Sequence, residues 1–196
     1  MRKLSYEEIF RLRPDLESIE REGRFPITVV AENIRSLYNV GSIFRTSDAA
    51  RIEKLILAGF TGRPPRNEIS KTALGAEHTV PWEYRKNTAE ALHELKERGV
   101  SIVVVEQTDE SVPYFELQYP RPVCLVVGNE VEGVSEEALK LADHAVEIPM
   151  YGTKHSLNVG VAYGIVVFEV LFQWLGGQPE KAKFLLGHGA PERREG

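Results

Sequence analysis

The chain has 196 residues, 42% hydrophobic and 27% charged, with a formal net charge of −5; this is the make-up of one globular domain with a sizeable core and, on charge alone, not of a nucleic-acid binder. A single cysteine, Cys124, excludes an intramolecular disulfide and a multi-cysteine zinc site, and the five histidines lack metal-binding spacing, so no metal is expected. No apolar run approaches the length of a membrane span and no signal-peptide pattern opens the chain, so a cytoplasmic protein with no membrane partner is expected.

The predicted elements begin with "LSYEEIFRLRPDLESIEREG", which is helical, with Ser5 and Glu8 spaced as a capping box and Pro14 interrupting. "PITVVA" (26–31) reads as a buried strand, and "NVGSIFRTSDAARI" as a helix capped by Asn39. "KLILAG" (54–59) is a second strand. The stretch from Phe60 to Asn87 reads as one long loop, a length that in compact domains usually carries function. A helix over 88–99 stopped by Gly99, strands over 101–107 and 121–130, a short helix over 135–143 capped by Ser135, and a strand "AVEIP" follow. A helix from Ser156 to Trp174 closes the core, and the tail beyond it is expected to hold one short helix. Strands alternating with helices predict an α/β fold with a mainly parallel sheet that binds ligands at the carboxyl ends of its strands. The predicted organisation is a helical extension (1–24), a core domain (25–175) and a C-terminal extension (176–196).

Charge is unevenly spread. From Ala31 to Thr88 stand nine basic residues (Arg35, Arg45, Arg51, Lys54, Arg63, Arg66, Lys71, Arg85, Lys86) against six acidic ones, whereas from Glu106 to Glu147 there are two against ten. The first half could face phosphate; solvated faces are the plainer explanation. Three patches combine glycine, asparagine and charge after strands. In the first, Asn39 and Gly41 suit a helix start, but Arg45 lies further in, beside apolar Ile43 and Phe44, where a guanidinium would be partly desolvated unless it met an anion such as phosphate. In the second, "VVGNEVEGV", Gly128 permits close backbone approach, and Glu130 could accept from a ribose hydroxyl or cap a neighbouring backbone; neither a Walker loop nor a dinucleotide fingerprint is present. In the third, "IPMYGTKHSLNVGVAYG", Ser156 suits an N-cap, Asn158 offers a donor and an acceptor, and Gly160, Ala162 and Gly164 leave the helix thin enough for a close neighbour.

In order and spacing these patches resemble the signature motifs of the SpoU/TrmH family of RNA 2′-O-ribose methyltransferases, in the SPOUT superfamily: "NxGxxxR" at 39–45, "GNExxGV" at 128–134 and "IPMxGxxxSLNVxVAxG" at 148–164. The resemblance runs from about Ile27 to Leu171. It implies a parallel α/β sheet whose C-terminal part is tied in a deep trefoil knot, a homodimer, and transfer of a methyl group from S-adenosylmethionine, leaving S-adenosylhomocysteine, to a ribose hydroxyl in tRNA or rRNA. By the same resemblance Gly128, Asn129, Glu130, Gly133, Ile148, Met150, Leu157 and Asn158 surround the cofactor, with residues near Gln107, and Arg45, Asn39, Ser156 and Asn158 are catalytic. RNA contact is expected from Arg35, Arg45, Arg63, Arg66 and Lys71. Gly160 departs from the serine many members carry, a separate N-terminal RNA-binding domain such as larger members carry is not expected in 196 residues, and both extensions are near neutral.

A ribose hydroxyl attacks only when its proton is removed or its oxygen polarised. Guanidinium groups stay protonated in proteins, so the expected role of the arginine is to anchor phosphate and stabilise developing alkoxide, with Asn39, Ser156 or water relaying the proton. The small chain favours tRNA. The rivals are a non-catalytic knotted RNA-binding subunit and an ordinary nucleotide-binding α/β enzyme.

Overall fold

In the computed structural model, which describes residues 1–176, seven strands form one sheet in which every pairing is parallel. They are β1 (Phe25–Glu32), β2 (Ile52–Ala58), β3 (Trp82–Arg85), β4 (Ser101–Val105), β5 (Val112–Pro113), β6 (Val123–Val127) and β7 (His144–Glu147), in spatial order β3-β2-β1-β6-β4-β7-β5. The β-branched runs of β1 and β6 are buried along nearly their whole length because helices cover both faces of the sheet. One face carries α3 (Leu37–Ala49), α4 (Asn67–Ala73), α5 (Ala76–Thr79) and α8 (Val159–Trp174), whose Ile43, Phe44, Tyr163 and Val166 join the larger core. The other carries α6 (Thr88–Glu97) and α7 (Glu136–Leu141), contributing Leu92, Leu95 and Ala138. Each fully buried large apolar side chain contributes about 1.5–3 kcal/mol.

Two short helices, α1 (Tyr6–Arg11) and α2 (Leu16–Glu22), precede the sheet and bury none of their residues. The capping box of Ser5 and Glu8 forms, and Pro14 lies between the helices. The expected helix in the tail lies outside the described residues.

Both helix starts at the motifs differ from expectation. The N-cap of α3 is Ser36, whose Oγ accepts from Asn39 N at 3.3 Å, so the helix begins earlier and Asn39 keeps its side chain for another task. The N-cap of α8 is Asn158 rather than Ser156; its Oδ1 accepts from Gly160 N at 3.0 Å and Val161 N at 3.4 Å. The stretch 60–87 is no single loop: it folds into α4, α5 and β3. β5 is a further strand that the sequence did not announce.

The chain builds β1, β2 and β3 outward in one direction, then crosses to β4, leaving between β1 and β4 the position that β6 fills. Loops leaving β1 and β6 therefore diverge side by side at the carboxyl edge, the crevice where such sheets bind ligands. On the adjoining face, Gly41 brings α3 onto α4, since a Cβ there would collide with Thr72 Oγ1 and the Ile69 carbonyl. Fully buried Tyr163 shares a 2.9 Å hydrogen bond with Ser47 and pins α8 to α3.

Candidate active site

The loop after β6 folds back on itself. Asn129 and Gly133 exchange two backbone hydrogen bonds of 2.9 Å, and a Cβ on Gly128 would collide with the Gly133 carbonyl, so only glycine fits at 128. The Asn129 side chain is buried in shaping this turn: its Nδ2 donates to the Asn33 carbonyl (2.8 Å) and its Oδ1 accepts from Val131 N and Glu132 N (2.8 and 3.0 Å). The Glu106 carboxylate holds the loop from below, accepting from Val134 N at 3.0 Å.

Glu130 reaches away from this loop to the start of α3. Its carboxylate accepts from Arg35 N (3.0 Å), Ser36 N (3.2 Å) and Asn39 Nδ2 (2.7 Å). Partial burial works to raise its pKa, but these hydrogen bonds outweigh it and hold the carboxyl below its ordinary range. Asn39 Oδ1 accepts in turn from Asn158 Nδ2 at 2.9 Å. The second and third motifs are thus joined through the first by one hydrogen-bonded chain, Glu130–Asn39–Asn158, ending on the N-terminus of α8. Its polarity is fixed at both ends: a carboxylate can only accept and a backbone N–H can only donate, so neither amide can be turned over.

Beside this chain is a cavity of about 550 Å³. Its walls are apolar at Val105, Val127, Val146, Ile148 and Leu157, and its charges are the carboxylates of Glu106, Glu130, Glu132 and Glu147; among the described residues no lysine or arginine lines it. Gln107 Nε2 donates to the His155 carbonyl at 2.6 Å and ties one rim to the other. Gly128, Asn129, Glu130, Gly133, Ile148, Met150, Leu157 and Asn158, together with Gln107 and Ser156, all line it. Glu106, Glu147 and His155 line it as well and went unremarked in the sequence; an acidic residue at the carboxyl end of β4 and another at that of β7 were the available signal.

Ser156 is exposed at the cavity and, among the described residues, its hydroxyl has no hydrogen-bond partner. Arg45 does not join the hydrogen-bonded chain. It stands on the exposed side of α3, about 120° around the helix from Asn39, without an ion-pair partner among the described residues. The expectation of a partly desolvated guanidinium therefore fails for the single chain: its apolar neighbours Ile43 and Phe44 turn inward and leave it in solvent. Arg35, Arg63, Arg66 and Lys71 are likewise exposed. Three of the nine basic residues in this half are neutralised, Arg51 by Glu22, Lys54 by Glu83, and Arg85 by Glu83 and Glu94.

An all-parallel α/β sheet with an acidic cavity at its carboxyl edge, rimmed by three interlocked motifs, defines a narrow class of proteins. The sequence pattern described as the SpoU rRNA Methylase family matches residues 26–168, and the chain belongs to that family. It is 38% identical, over 81% of its length and 73% of the relative's, to the tRNA (guanosine(18)-2′-O)-methyltransferase of Aquifex aeolicus, and 34% identical to that of Thermus thermophilus over 83% of each chain. Among solved structures, the A. aeolicus TrmH/SpoU tRNA modifying enzyme superposes with a TM-score of 0.74 at 33% identity, covering 93% of this chain and 94% of that one. The SpoU methyltransferase AviRb of Streptomyces viridochromogenes, solved with the cofactor AdoMet, superposes with a TM-score of 0.73 at 26% identity, covering 83% and 66%.

Proposed function

We propose that this protein transfers a methyl group from S-adenosylmethionine to a ribose 2′-hydroxyl in RNA, with tRNA as the favoured substrate, in the cytoplasm. The observation that carries the reading is the hydrogen-bonded chain Glu130–Asn39–Asn158 at the rim of the acidic cavity. The cavity suits the cofactor on chemical grounds. Its volume lies in the usual range for small-ligand sites, its apolar walls suit an adenine ring, and its carboxylates favour a cation over the polyphosphate of a nucleotide. The chemistry the bound cofactor supplies is an electrophilic methyl group on a positively charged sulfonium.

The chain's own groups orient and polarise the nucleophile. With its Oδ1 and Nδ2 fixed by Asn158 and Glu130, Asn39 presents a rigid amide beside the cavity. Ser156, whose hydroxyl has no partner among the described residues, accepts the ribose proton as it gives up its own to water. Arg45 holds an RNA phosphate and stabilises negative charge on the ribose oxygen, as an exposed cation can when RNA covers it.

Within this reading the protein is a homodimer. An exposed apolar stripe along α8, formed by Val161, Phe168 and Phe172, supports a second copy as its cover. The family's trefoil knot is part of the same proposal, supported by the placement of β6 between strands formed earlier in the chain. The core, 25–175, is the catalytic unit.

The test is transfer of labelled methyl from S-adenosylmethionine to total tRNA and, separately, to total rRNA, each from a strain lacking this protein. Incorporation into tRNA is expected. Cofactor binding without incorporation into either pool would favour a non-catalytic RNA-binding subunit.

A further inference from the structure

Away from the cavity, at the carboxyl edge of the other half of the sheet, two aromatic rings stand in solvent. Phe60, just after β2, is 56% exposed, and Tyr84, on the edge strand β3, is 36% exposed. They are neighbours, because Tyr84 Oη donates to the Gly59 carbonyl at 2.9 Å and Gly59 N donates to the Arg85 carbonyl at 3.0 Å. The turn presenting Phe60 is rigid: Phe60 N donates to Asn33 Oδ1 at 3.1 Å, and Gly59 has φ +64° with no room for a Cβ against that same amide. Over the Tyr84 ring lies the Arg63 guanidinium, 4.1 Å from the ring centroid, on an exposed residue.

Cation–π packing accounts for Arg63 against Tyr84, but it leaves Phe60 uncovered. A guanidinium laid over an aromatic ring, with a second exposed aromatic residue on the adjoining turn, offers flat surfaces on which unpaired bases can stack. Arg35 and Arg66 are exposed on the loops leaving the neighbouring strands and supply charge complementary to a phosphate backbone. The sheet order sets the distance: the ends of β2 and β3 lie two and three strand intervals from β6, about 10–14 Å, the reach of nucleotides close to the one at the cavity.

We propose that Phe60, Arg63 and Tyr84 form a stacking platform for an unpaired base of the RNA, near the ribose that is methylated. This rests on the reading of the substrate as RNA. The base is held by its π-face, so the platform accepts any base and selects for single-stranded, splayed geometry rather than for sequence.

The test uses the full chain and two variants that preserve charge or bulk while removing the flat surface, Arg63→Lys and Phe60→Leu. RNA affinity is measured on total tRNA and total rRNA over a series of salt concentrations, with KM for RNA in methyl transfer, S-adenosylmethionine affinity and Tm alongside. Each variant is expected to weaken RNA binding and raise KM roughly fivefold to hundredfold. The slope of log Kd against log salt, cofactor affinity and Tm stay as in the wild type. Arg63→Ala is expected in addition to flatten the salt slope by about one phosphate contact. Wild-type RNA affinity in both conservative variants, with loss only in Arg63→Ala, would overturn the platform and leave a plain phosphate contact. Wild-type protein that methylates neither pool would instead bring down the underlying reading.

Discussion

At the scale of single residues, the site depends on which atoms are obliged to donate and which to accept. Glu130 satisfies two backbone N–H groups before α3 and one amide of Asn39, so replacing it by glutamine turns an N–H toward a donor and removes the charge. Glu130→Gln is expected to cost about 1–2 kcal/mol of stability, allowing for its exposure, and to lower kcat for methyl transfer at least tenfold while changing cofactor affinity less. Because its folded pKa is depressed, the stabilisation from Glu130 is full above the unfolded carboxyl value of about 4.3 and is lost as pH falls through the lower folded value. Tm of the wild type should therefore fall more steeply than that of Glu130→Gln between pH 5 and pH 3; parallel curves would contradict the assignment. Arg45→Lys keeps a cation but not the fork, and is expected to retain partial activity that rises with pH. A dead, pH-insensitive Arg45→Lys that still binds RNA would show that the arginine does more than hold charge. In the sequence, Asn39, Glu130 and Asn158 could be recognised as polar residues at motif positions, but their partners could not. Each helix start offers two capping residues within one turn, Ser36 or Asn39 and Ser156 or Asn158, and only tertiary contact decides which one caps.

At the scale of elements, the long apolar strands were legible because burial on both faces needs continuous β-branched runs. The segment after β2 was not. The N-cap of α4, Arg66, makes no side-chain capping bond, so the start of the helix carries no capping signal; the helix ends on Leu74 in the left-handed region, one residue before Gly75, a stop glycine that has no legible helix in front of it. The glycines at the helix contacts differ in what they permit. Gly41→Ala drives a methyl group into α4 and is expected to cost about 1–3 kcal/mol, read as a lower Tm. A Cβ on Gly164 would meet Thr46 Cγ2 at an ordinary 3.9 Å, so Gly164→Ala should leave Tm unchanged or raise it by up to about 1 kcal/mol equivalent through helix propensity. Equal destabilisation by both substitutions would mean that the α3–α8 contact is tighter than described.

At the scale of the molecule, the uneven charge along the chain becomes a division of the sheet. Residues 31–88 run from the carboxyl end of β1 through β2 and β3 and carry the exposed arginines, and residues 106–147 build most of the half that holds the acidic cavity. RNA and a cationic cofactor can thus approach one edge from opposite sides without competing for charge. The exposed stripe on α8 belongs to the same scale. Phe168→Glu is expected to yield a monomer by sedimentation with its own fold intact, and a wild-type protein that is already monomeric would remove the dimer from the account. The claim that unites these levels is that the acidic cavity and the Glu130–Asn39–Asn158 chain serve a ribose hydroxyl. The measurement that tests it most directly is digestion of the labelled RNA product to nucleosides, with identification of the methylated atom by mass spectrometry. Label confined to a 2′-O-methylnucleoside is the expected result; label on a base, with unmodified ribose, would contradict the account.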